Sequence, residues 1–137
     1  MRWFGLNDEK SAPIVFTTWS IVHTVAGLVM MLLFLYAMQR WYPGSPINTI
    51  AMLLKGLAAV NFVHALYETK DLVQSETTNP PYTVSWQNSL GDQTCATLGA
   101  IGGYLLANSM SPAGLIDTTI GATVLVNVVS SAFWMYG

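Results

Sequence analysis

The sequence predicts an all-α fold: a four-helix transmembrane bundle with both termini on the same side of the membrane. Three observations lead there. Apolar residues make up 53% of the 137 residues and charged ones only 9%, outside the balance of a water-soluble domain. Between positions 11 and 39 no Asp, Glu, Lys or Arg occurs, and a helix of that length rises about 40 Å, more than the roughly 30 Å of a hydrocarbon core. Turns rich in Pro, Gly and Ser then divide the remainder into three further apolar runs, so the expected spans are 13–39, 47–70, 84–108 and 113–136. Together they form one transmembrane domain, 1–137.

Residues 1–10 mix Trp3 and Phe4 with Arg2, Asp8, Glu9 and Lys10, which suits a segment lying at the membrane interface. The apolar run behind it exceeds the roughly 7–15 residues of a signal-peptide core, so it is expected as a span, with Pro13 in its first turn. On that span Ser20, His23 and Gly27 share one face, and Trp41, Tyr42 and the turn at 43–46 end it. The second span carries Lys55 near its start and Asn61, His64 and Glu68 on one face near its end, followed by an expected loop over 71–83. On the third span Ser85, Asn88, Asp92, Cys95 and Gly99 form a stripe, and Gly99-x-x-x-Gly103 permits close approach of another backbone. The fourth holds Asp117, Gly121 and Asn127 and ends on the aromatic anchor 133–136.

Charge excludes some partners. A formal net charge of -2 and five scattered basic residues (Arg2, Lys10, Arg40, Lys55, Lys70) give no polybasic patch, so nucleic acid is not expected. The single cysteine, Cys95, allows neither an internal disulfide nor a thiolate metal site.

Counting about 1.5 Å per residue from the terminus-side end of each span, His23 comes out roughly 14 Å deep, His64 9, Glu68 3, Asn88 6 and Asp92 12. All five fall in one leaflet and are expected to line one pocket. Lys55 and Asp117, about 12 and 6 Å from the opposite side, are expected as a structural pair. A charge at a helix centre costs about 2.5–3.5 kcal/mol on insertion scales, so such groups face the interior and mark function. Mutual satisfaction at i, i+4, His64 with Glu68 and Asn88 with Asp92, is the competing structural explanation.

The residues Trp19-Ser-Ile-Val-His23-Thr-Val-Ala-Gly27, His64-x-x-x-Glu68 and Asn88-Ser-Leu-Gly91-Asp92, leading into Leu98-Gly99-Ala-Ile-Gly-Gly103, resemble in order and spacing the pattern of VanZ-like small membrane proteins. The resemblance covers about residues 13–107 and implies a compact helical multi-pass membrane protein of a family whose named member is linked to glycopeptide antibiotic resistance. The acidic residue that such proteins often place just before the Asn is absent at 84–87.

The function expected is that of a binding or accessory membrane protein, for a lipid headgroup or a larger membrane assembly of other subunits. The alternative is an intramembrane enzyme acting on a lipid or lipid-linked substrate, with a His/Glu pair for acid-base work or with His23, His64, Glu68 and Asp92 around Zn²⁺ or another divalent metal. The sequence assigns neither a catalytic residue, a metal nor a cofactor. The lack of any arginine near the pocket argues against phosphate recognition, since Arg2 and Arg40 are the only two.

Overall fold

In the computed structural model of the chain, residues 2–5, 13–77 and 84–136 are described, with the backbone alone at 112, 129–130 and 132–136. Most of the expected interfacial segment, the centre of the loop around 79–82 and the side chains of the aromatic anchor at 133–136 lie outside the described residues. The elements run β1 (Arg2–Phe4), β2 (Ile14–Phe16), α1 (Trp19–Trp41), α2 (Ile50–Thr77), α3 (Trp86–Asn108) and α4 (Pro112–Tyr136). The fold is therefore all-α with four helices, preceded by a two-stranded parallel ribbon.

Two boundaries depart from expectation by more than three residues. The first helix starts at Trp19, because Ile14-Val15-Phe16, all good strand formers, pair with β1 in the register Arg2↔Ile14 and Phe4↔Phe16. Pro13 contributes only its carbonyl, which accepts the Arg2 N–H at 2.9 Å. The second helix continues past Lys70 to Thr77, since its buried face does not stop at the last apolar residue: Met52, Gly56, Val60, His64, Glu68, Asp71 and Ser75 follow one another at three- and four-residue steps. Local caps fix the other starts. Ser85 accepts the Asn88 N–H at 3.2 Å, and Ser111 accepts the Gly114 N–H at 3.2 Å behind Pro112 in the first helical position.

Helices α1 and α3 run parallel and form the most extensive interface, with α2 antiparallel to both and α4 packed on α1. The close seam depends on glycine. A Cβ at Gly27 would run into the Ala96 carbonyl, one at Gly99 into the Thr24 carbonyl and one at Gly103 into the Leu28 carbonyl, so the spacing noted at 99 and 103 is where α1 backbone approaches. Gly91 likewise accommodates the Val15 carbonyl and seats β2 on α3. At the other end Tyr104 donates to the Thr49 carbonyl at 3.0 Å, joining the end of α3 to the chain entering α2. The apolar core lies in this half, around Met31, Leu32, Leu35, Met52, Ala100, Tyr104 and Leu115.

The outer surface is apolar, with Leu33, Leu54, Phe62, Leu66, Leu98, Leu105, Ile120 and Val124 all exposed. Helices α1 and α2 are long and apolar enough to cross a membrane, and only 33% and 22% of their most apolar stretches is buried in the bundle.

A candidate polar site shared by three helices

At the ribbon end of the bundle, α1, α2 and α3 each turn polar side chains inward. His23 from α1, His64 and Glu68 from α2 and Asp92 from α3 meet there, with His64, Glu68 and Asp92 only 3%, 7% and 3% exposed. Nδ1 of His23 lies 2.8 Å from Nε2 of His64, and Oε1 of Glu68 lies 3.6 and 3.7 Å from those two nitrogens. On its other edge His23 presents Nε2 to Asp92 Oδ2 at 3.5 Å. The His23 imidazole thus stands between the two carboxyl groups, keeping them well inside the roughly 12 Å over which one small group and bridging water could engage both.

The outer partners set ring orientation and tautomer. Asn61 donates its amide to the Leu57 carbonyl at 2.8 Å, so its Oδ1 faces α3 as an acceptor and receives both Thr97 Oγ1, at 2.7 Å, and the Gln93 amide. Gln93 therefore turns its carbonyl oxygen to His64 Nδ1 at 2.9 Å, which must carry a proton to donate there. Neutral His64 then directs a bare Nε2 at His23 and Glu68. Asp92 is positioned from the opposite side by Ser20, which donates to Oδ1 at 2.5 Å and itself accepts the Thr17 N–H at 3.1 Å.

Oε1 of Glu68 is buried with no close hydrogen bond from the described residues, and the Ser89 hydroxyl stands beside the carboxyl group as its nearest side-chain donor. Tyr67 flanks both imidazoles, its ring centroid 6.1 Å from that of His23 and 6.3 Å from that of His64, and Lys70 lies 4.5 Å over its outer face while bonding Asp71 at 2.9 Å.

Four of the five expected pocket residues come together. The fifth, Asn88, is turned away and donates to the Val15 carbonyl at 3.3 Å, so it ties β2 to α3. The expected pairing of Lys55 with Asp117 is corrected: both are exposed, and no ion pair joins them among the described residues. A shared leaflet did not make them neighbours, because α4 packs on α1 while Lys55 faces outward from α2. The depth estimates shift as well, since α1 starts six residues later than 13 and α2 ends seven residues later than 70, bringing His23 nearer one helix end and setting Glu68 farther from another. Gln93 and Asp71 escaped the sequence reading. Gln93 follows the stripe residue Asp92 and faces α2, whereas Asp71 sat in the expected loop.

No family model matches the chain, and neither a curated protein nor a solved structure matches it.

Proposed function

We propose that the chain is a small multi-pass integral membrane protein, VanZ-like in its motifs, that binds the polar headgroup of a lipid or lipid-linked molecule in one leaflet, acting as a binding or accessory protein. The observation that carries this reading is the placement of His23, His64, Glu68 and Asp92, drawn from three helices, in one buried cluster at the end of a bundle whose outer surface is apolar. Such groups are expensive in hydrocarbon and are found there where function requires them. An apolar exterior on helices that are mostly unburied favours lipid as the surrounding medium over a soluble core. Four crossings of alternating direction would place both termini on the same side. Tyr67 and Lys70 offer a partly exposed approach to the cluster for a headgroup.

A second reading, an intramembrane enzyme on the same headgroup, is favoured by one feature: His23 stands between two carboxyl groups, as a general acid-base does. Mass spectrometry of the detergent-extracted protein decides between them. A defined lipid retained intact supports binding, conversion of that lipid over time supports the enzyme, and no retained or converted lipid at any protein concentration contradicts both.

A further inference from the structure

We propose that His23 Nδ1, His64 Nε2 and Glu68 Oε1 are the ligands of one divalent cation of the zinc class, with Asp92 and Gln93 as its outer-sphere partners. The triangle of 2.8, 3.6 and 3.7 Å has a point equidistant from all three atoms at about 2.0 Å, the length of Zn–N and Zn–O bonds. Two imidazoles and one carboxylate are a ligand set that leaves a fourth position open.

Proton bookkeeping supports the cation independently of the distances. Neutral His23 carries one ring proton. Placed on Nδ1, that proton satisfies His64 Nε2 but leaves the Nε2 lone pair facing Asp92 Oδ2. Placed on Nε2, it faces Asp92 and leaves His23 Nδ1, the bare His64 Nε2 and an ionised Glu68 carboxylate converging as three lone-pair donors. A divalent cation resolves the second arrangement. Each imidazole then donates its remaining N–H outward, His64 to Gln93 and His23 to Asp92, as metal-bound histidines do. Local charge favours it too. Glu68, Asp92 and Asp71 surround the imidazoles, and Lys70, which acts on Glu68, bonds Asp71.

This inference rests on the reading of the cluster as a headgroup site and deepens it. With no arginine at the cluster, the cation supplies the positive charge that an anionic headgroup oxygen at the fourth position needs.

The test is titration of the chelator-stripped, detergent-solubilised full chain with Zn²⁺ and Co²⁺, with folding checked by circular dichroism. One equivalent per chain is expected, and Co²⁺ should show the intense visible bands of tetrahedral or five-coordinate geometry. Glu68→Gln, which keeps shape, should weaken Zn²⁺ binding at least 10-fold, Gln93→Met by about 10–100-fold, and Asn88→Ala not at all. A doubly protonated His23 in place of the cation would leave the folded protein with no stoichiometric Co²⁺ uptake. Folded wild-type protein that takes up no stoichiometric Co²⁺, or Zn²⁺ binding indifferent to Glu68→Gln and His64→Ala, overturns the proposal. Lipid retention without metal uptake removes the cation and leaves the headgroup reading standing; metal uptake without lipid does the reverse.

Discussion

Alanine at Gly99 and at Gly102, three residues apart on one helix, should change stability in opposite directions. The Gly99 Cβ would fall on the Thr24 carbonyl and against the Leu28 backbone, neither of which can swing aside, whereas at Gly102 nothing lies within 4 Å. Overpacking of a fitted interface costs about 1–3 kcal/mol, and the rigid contact puts Gly99→Ala at the upper end. Gly102→Ala meets no obstacle and gains helix propensity worth up to about 1 kcal/mol. At about 3–5 °C per kcal/mol for a chain of this size, thermal unfolding in a single detergent should separate the two variants by 10 °C or more, to order of magnitude. Because α1 carries Ser20 and His23 while α3 carries Asp92, forcing this seam apart also lengthens the contacts of the polar cluster. Equal melting temperatures for the two variants would refute the glycine-dependent approach of α1 to α3.

Lys55→Leu and Asp117→Leu should add independently in a double-mutant cycle, within about 0.5 kcal/mol, since the two side chains are exposed and unlinked; a coupling above 1 kcal/mol would restore the pair. Asn88→Ala should lose about 1 kcal/mol of stability through its bond to Val15 with no change in what the cluster binds, read by unfolding and lipid retention together. Gln93→Met should leave the His64 Nδ1–H without its acceptor, costing about 1–3 kcal/mol. The same change made on an Asn61→Leu background should cost less, because the network that orients Gln93 is already gone. Labelling of single cysteines at Asn7, Ser45, Thr77 and Ser111 in a Cys95→Ala chain should report Asn7 and Thr77 from one side and Ser45 and Ser111 from the other.

Much of this architecture was legible because apolar run length and turn chemistry are local properties. Four runs became four helices, and the small residues at 99 and 103 marked the face that another backbone meets. What local apolarity could not deliver were the places where a polar residue continues a buried face. Asp71 and Ser75 extend the seam of His64 and Glu68 at the same helical spacing, yet an apolar criterion ends the helix at Lys70. At the other boundary, Ile14, Val15 and Phe16 suit strand and span equally, and only pairing with residues 2–4 decides for the strand. Depth counting gathered the cluster residues because His64 and Glu68 share a helix face and Asp92 faces α1. It failed for Lys55 and Asp117 because depth leaves the angular position around each helix free. Gln93 was invisible for the same reason: α3 has two buried seams, and a single stripe through Asp92 finds only the one facing α1.

The most direct measurement is headgroup retention by folded Glu68→Gln protein, with its melting temperature taken on the same preparation. If the cluster exists to bind, the amide preserves shape and packing, so the melting temperature stays within a few degrees of wild type while the copurifying lipid is lost. If His64 and Glu68 instead serve only to hold helices together, Glu68→Gln retains whatever the wild type retains, and only His64→Ala unfolds the bundle; that result would contradict a binding role for the cluster.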